Sequence, residues 1–166
     1  DAGISNAETL YRLRYFTNAY STRTQGVDFV GNYAFENDIG NFEVTLAANY
    51  NTSKVTDTVP LLVLGQPYYV IDPNVIGNVS EGTPKWRGYL TGTWAHGPWR
   101  GLARVNYYDG WTVYDIPANG GVRSFGSDAT LDLEFSYRLT EFATLAIGAS
   151  NILDNYPDKD TRAGDG

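Results

Sequence analysis

Few residues in this chain have the type and spacing for chemistry. Asp132 and Glu134 stand two apart, the spacing that sets two carboxylates on one side of an extended strand. Such a pair can divide acid and base work when their environments separate their pKa values. Their setting gives a plainer reason for the spacing. Thr130–Thr140 (TLDLEFSYRLT) puts Leu131, Leu133, Phe135, Tyr137 and Leu139 on one side, and Asp132, Glu134, Ser136, Arg138 and Thr140 on the other. Both carboxylates are then polar positions of a half-buried strand. The sole histidine, His96, opens a Gly-Pro turn, and no Ser-His-Asp order, GxSxG, P-loop or HExxH is present. Asp154, Asp158, Asp160 and Asp165 make an acidic segment without EF-hand spacing, which reads as a solvated loop. There is no Cys, hence no disulfide, thiolate site or Cys nucleophile. The expectation is a non-enzyme with no catalytic residue, no metal site and no cofactor.

Composition points to strands. The chain holds 13 Tyr, 4 Trp and 18 Gly, residues of pleated sheets and their turns. A net charge of −7, with the 12 basic residues scattered singly, argues against nucleic acid as a partner. No apolar run approaches the roughly 18 residues of a membrane helix, so a membrane reading has to rest on alternating strands.

Alternation recurs along the chain. Gly26–Phe35 sets Val27, Phe29, Tyr33 and Phe35 against Asp28, Asn32 and Ala34, with Val30 breaking the polar side. Glu43–Lys54 sets Val44, Leu46, Ala48 and Tyr50 against Glu43, Thr45, Ala47, Asn49 and Asn51. Lys85–Ala95 sets Trp86, Leu90 and Trp94 against Arg87, Tyr89, Thr91 and Thr93. Arg100–Trp111 sets Ala103, Val105 and Tyr107 against Arg104, Asn106 and Tyr108, and Thr144–Leu153 sets Leu145, Ile147 and Ala149 against Ala146, Gly148 and Ser150. Tyr11–Thr24 extends the first strand outward.

The connections alternate in length. Glu36–Gly40, His96–Pro98 and Glu141–Phe142 are tight, whereas Asp57–Pro84 and Tyr114–Ser127 are long, and another long segment follows Leu153. Outer-membrane barrels have this pattern, with short periplasmic turns and long extracellular loops. Aromatics flank the tight turns (Tyr33, Phe35, Trp94, Trp99, Tyr137, Phe142), and Trp86, Tyr107 and Tyr50 suit a second belt. The predicted fold is all-β, antiparallel and up-and-down, about six transmembrane strands. Six strands leave two open edges, so residues 1–166 are expected to be part of a larger barrel. The Asp1 start and the absence of Met agree with an excised segment. The rivals are a soluble β-barrel or sandwich binding a small ligand, and a porin-like or adhesin barrel.

Three motifs in order carry a family resemblance. Asn18–Phe29 (NAYSTRTQGVDF) resembles the Asn-x-x-x-x-(Arg/Thr)-x-x-Gly-Val-(Glu/Asp) strand late in TonB-dependent receptors. Asn151–Tyr156 (NILDNY) resembles their Asn-Leu-Phe-Asp-x-x-Tyr signature, and Thr83-Pro84 is similar to the start of a strand descending from a long loop. The resemblance implies a barrel of about 22 strands closed by a plug, in the outer membrane of a Gram-negative bacterium. It also implies import of iron-siderophore complexes, cobalamin or carbohydrates, driven through TonB. By that map the plug, the TonB-contacting region, the earlier strands and the last strand are missing. The Gly/Asp-rich Thr161–Gly166 departs from the family's aromatic-terminated last strand.

On this reading Glu43, Arg104, Asn106, Asp132, Glu134 and Arg138 face the lumen, where polar side chains meet water, plug or cargo. Tyr68, Tyr69, Trp111, Tyr114 and Phe125 are the extracellular-loop candidates for contact with a siderophore or sugar. Asp72-Pro73-Asn74 reads as a turn. The expected partners are outer-membrane lipid, the receptor's own plug, TonB and the ligand.

Overall fold

The computed structural model describes residues 18–63, 65–69, 71–117 and 121–160. Along the chain come β1 (Tyr20–Asn37), β2 (Gly40–Thr58), β3 (Pro60–Val63), β4 (Gln66–Tyr69), α1 (Pro73–Glu81), β5 (Trp86–His96) and β6 (Trp99–Tyr108). Then follow β7 (Trp111–Val113), β8 (Arg123–Phe125), β9 (Asp128–Arg138) and β10 (Thr144–Ala149). The six longest strands form one antiparallel sheet in the order β1-β2-β5-β6-β9-β10. Each pairs with the next long strand in sequence, so the topology is up-and-down, as expected from the alternation. The outward extension expected at Tyr11–Thr24 is seen from Tyr20 on, and its first residues lie outside the described ones.

Register keeps the two faces chemically separate. Tyr33 stands opposite Val44, Val44 opposite Gly92, Gly92 opposite Ala103, Ala103 opposite Leu133 and Leu133 opposite Ala149, an apolar row across all six strands. The adjacent row, on the other face, runs Asn32, Thr45, Thr91, Arg104, Asp132. A slip of one residue at any pairing would set polar side chains into the apolar row, which fixes the register strongly.

Among the described residues no second layer covers the apolar row. Among the described residues no hydrophobic side chain is buried, and the buried polar ones are Thr91 and Ser136. Val27, Leu145 and Ile147 are 68%, 65% and 75% exposed. A soluble sandwich holds its sheets together by burying this face, and here the face stays open. The core that a soluble module requires is not found among the described residues.

Aromatics close the apolar band at both ends. Phe42 and Tyr50, Trp94 and Trp86, and Trp99 and Tyr107 are each eight residues apart on three successive strands. At about 3.3 Å per residue that is roughly 26 Å along a strand. Tyr50 packs on Trp86 at one end (ring centroids 4.7 Å apart); Trp99 packs on Tyr137 at the other (4.2 Å).

The short turns lie beyond the belt of Phe42, Trp94, Trp99 and Tyr137. The first turn places Gly40 at φ 131°, where an L side chain is strained and where a Cβ would lie 2.5 Å from the Ala95 carbonyl oxygen. The Trp94 indole N–H donates to the Ile39 carbonyl at 2.8 Å and ties the turn to β5. The third turn is wider than expected, because β9 stops at Arg138 and Leu139 N–H donates to the Ala143 carbonyl at 2.9 Å. Phe142, expected to join the belt, projects from this turn 97% exposed.

Other boundaries also differ. β6 ends at Tyr108, not Trp111, and β10 ends at Ala149, not Leu153. The long connections hold structure of their own: the β3–β4 hairpin, helix α1 and the β7–β8 hairpin. Asp72-Pro73-Asn74, expected to be only a turn, starts α1. Asp72 is its N-cap, accepting from Asn74 N–H at 2.9 Å, and Pro73 takes the first helical position.

Candidate functional site

The polar face is built by alternation, and cross-strand pairs hold its side chains. Thr45 donates to Asn32 at 2.7 Å and Asn49 Nδ2 donates to Asp28 at 2.6 Å across β1 and β2. Arg104 Nε donates to Thr91 Oγ1 at 2.9 Å, and the guanidinium lies 5.3 Å from the Tyr89 ring centroid. Arg104 stands opposite Asp132 in register. Asn106 Nδ2 donates to Asp132 Oδ2 at 3.0 Å and to Thr130 at 3.1 Å.

The structure thus joins Arg104, Asn106 and Asp132 into one group on β6 and β9. Glu43, Glu134 and Arg138 share that face but stand apart from the group, and their side chains make no hydrogen bond or ion pair among the described residues. Asp132 is held by its neighbours, whereas the Glu134 carboxylate two residues on has no hydrogen-bond partner among the described residues.

The segment after β10 folds back over the long-loop end of this face. Asn151 N–H donates to Asp132 Oδ1 at 2.9 Å, with Asn151 itself at φ 49°. Asn151 and Asn155 exchange two bonds, Asn151 Nδ2 to the Asn155 carbonyl at 2.8 Å and Asn155 N–H to Asn151 Oδ1 at 3.1 Å. Asn155 Nδ2 donates to the Ala129 carbonyl at 3.0 Å and to the Asp128 carboxylate. Further on, Asp158 accepts from Gly126 N–H at 3.0 Å and Asp160 pairs with Arg123 at 2.8 Å. Asn155 and Asp128 are not among the candidate site residues of the sequence, and the acidic segment, read there as a solvated loop, is instead fastened at Asp158 and Asp160. The repeated Asn in NILDNY was the available signal, since Asn is the residue that combines αL backbone with self-capping bonds.

The loop aromatics fall in three places. Trp111 and Phe125 pair in register and stack at 5.0 Å with 14° between planes, closing the β7–β8 hairpin. Tyr69 is 61% exposed on β4, and Tyr68 pairs through its backbone with Leu61, its side chain lying outside what is described. Tyr114 clasps α1. Asn78 accepts from Tyr114 N–H at 2.8 Å and donates to the Tyr114 carbonyl at 2.7 Å, and the Tyr114 hydroxyl donates to Glu81 at 2.5 Å. The Tyr114 ring rests on Gly77, where a Cβ would come within 2.6 Å of it. The hydrogen bond that the Tyr114 hydroxyl donates to Glu81, helped by desolvation and by the Glu81 charge, raises the Tyr114 pKa above the ordinary tyrosine value. A pocket of about 420 Å³ opens beside these loops, lined by Pro84, Tyr108, Trp111, Tyr156 and Pro157 above Asp128.

Among the described residues no cluster of three or more His, Cys, Asp or Glu side chains is placed to hold a metal ion. Neither a curated protein nor a solved structure matches the chain. A family model described as TonB dependent receptor-like, beta-barrel, matches residues 2–152. That span covers all six long strands and the first two residues of the NILDNY motif. The chain belongs to the TonB-dependent receptor β-barrel family, a family of outer-membrane transport receptors and not of enzymes.

Proposed function

We propose that this chain is a wall and part of the outer vestibule of a plugged receptor that imports an iron–siderophore complex. The apolar row meets outer-membrane lipid. Glu43, Arg104, Asn106, Asp132, Glu134 and Arg138 line the lumen, and the long-loop end faces outward. What carries the reading is the unbroken apolar face, open to its surroundings and bounded by aromatic belts at both ends. The open edges of β1 and β10 pair with further strands of a larger barrel, since unpaired backbone is not tolerated in hydrocarbon. The plug and TonB are the partners this family brings. Trp111, Phe125 and Tyr69 offer flat apolar contact to cargo, while Tyr114 shapes the vestibule by holding α1.

Uptake by intact cells tests this. Disrupting the reading frame should abolish energised uptake of a labelled ferric siderophore under iron limitation. Trp111→Ala should weaken half-saturation with the amount of receptor in the membrane unchanged. Ferric uptake that persists while cobalamin or oligosaccharide uptake disappears would contradict the cargo. Uptake of all three unaffected would contradict import itself.

A further inference from the structure

The outward face of the β1–β2 hairpin carries a charge feature that import does not use. These two strands run on past the rest of the sheet: β5 pairs with β2 only as far as Tyr50 opposite Trp86, while β1 and β2 stay paired to Tyr20 opposite Thr58. On the apolar side, going outward from the aromatic belt, the cross-strand pairs are Val27–Tyr50, then Gln25–Thr52, then Arg23–Lys54. The face changes from apolar to neutral polar to basic in three steps.

Arg23 and Lys54 are the basic residues among the described strand positions on that side, in a chain of net charge −7. Like charges directly opposite each other in a sheet are unfavourable unless an anion lies between them. Both side chains are exposed, and neither forms an ion pair among the described residues. The acidic Asp57 stands opposite Ser21, past a register shift. Lys54 is four residues beyond Tyr50, about 13 Å along the strand and, with a tilt of about 40°, roughly 10 Å along the membrane normal. An aromatic belt sits at the headgroup level, so the pair is at the height of the outermost polar groups of the leaflet.

We propose that Arg23 and Lys54 together bind a phosphate group of an anionic lipid headgroup in the outer leaflet. The proposal rests on the membrane orientation given above. Arg contributes a planar fork and Lys a compact ammonium, and two charge-assisted bonds to one phosphate relieve the repulsion between them. The bound lipid becomes part of the hairpin's outer surface.

The test uses the receptor purified from its membrane in mild detergent, with retained lipid counted by native mass spectrometry. The probe is a glycolipid bearing two phosphates on its headgroup, and the control is the same lipid dephosphorylated. Wild-type receptor should retain the phosphorylated form selectively. Arg23→Gln with Lys54→Gln should reduce retention about tenfold, while Arg23→Lys with Lys54→Arg keeps it. Heat-modifiable electrophoretic mobility reports that each variant is a folded barrel. Equal retention by the Gln variant, equal retention of the dephosphorylated lipid, or full displacement by millimolar inorganic phosphate would each overturn the proposal. A wild-type protein absent from the outer membrane overturns the orientation as well, so the two failures are distinguishable.

Discussion

The backbone N–H of Asn151 donates to Asp132 Oδ1 at 2.9 Å, fastening the turn after β10 to the polar face of β9. Asp132 accepts from Asn106 through its other oxygen, so one carboxylate links β6, β9 and the returning segment. Asp132→Asn keeps an acceptor for Asn151 and should leave assembly intact. Asp132→Ala removes both acceptors and should loosen residues 151–160, raising their cleavage by added protease on whole cells several-fold. Equal protection in the two variants would show that the bond does not hold the segment.

Leu133 and Glu134 are neighbours on opposite faces near the middle of β9. Leu133→Arg should cost about 2–4 kcal/mol, because in the proposed orientation it sets a charge against hydrocarbon near the midplane. Glu134→Arg should cost far less, because in the proposed orientation its side meets water. Urea unfolding of the receptor in lipid vesicles measures both. The reverse order would invert the face assignment.

The short turn gives a local test of backbone geometry. Gly40→Ala should destabilise the β1–β2 turn by about 1–3 kcal/mol from strain alone, and the close Ala95 carbonyl adds to it. Trp94→Phe keeps the belt's ring but loses the bond to the Ile39 carbonyl, a loss of about 1 kcal/mol. The same unfolding measurement ranks the two, with Gly40→Ala the more damaging.

The two faces of the sheet are legible in the sequence residue by residue, because a strand has a period of two and this sheet is apolar on one side only. Alternation alone therefore sets Asp132 and Leu133 on opposite sides. The loops are not legible in this way. α1 has β-branched residues and a Gly in the middle of a nine-residue span, so intrinsic propensity argues against it. It forms because Gly77 leaves room for the Tyr114 ring and because Asn78, 36 residues before Tyr114, binds its backbone. In the sequence, Arg104, Asn106 and Asp132 are visible only as three residues on one face. Which of the six polar candidates meet depends on the pairing of β6 with β9.

The clasp has a pH dependence. The Tyr114 pKa is raised in the folded state, so its contribution to loop docking is fully present below about 10, the ordinary tyrosine value. It is lost as pH rises through the higher folded value. Protection of α1 in hydrogen exchange should hold across neutral pH and fall only under strongly alkaline conditions, whereas Tyr114→Phe should show weaker protection without that alkaline step. A clasp opening near neutrality would contradict the assignment.

The orientation of the sheet is the central claim, and residues 1–166 hold no Cys to compete with a label placed among them. Single Cys substitutions from Ala129 to Tyr137, spin-labelled in the receptor in lipid vesicles, report collisions with oxygen and with a water-soluble nickel chelate. Labels at 129, 131, 133, 135 and 137 should favour oxygen, and those at 130, 132, 134 and 136 the chelate, in strict alternation. Uniform access to the chelate on both sides, or the opposite phase, would contradict a barrel wall with its apolar face in lipid.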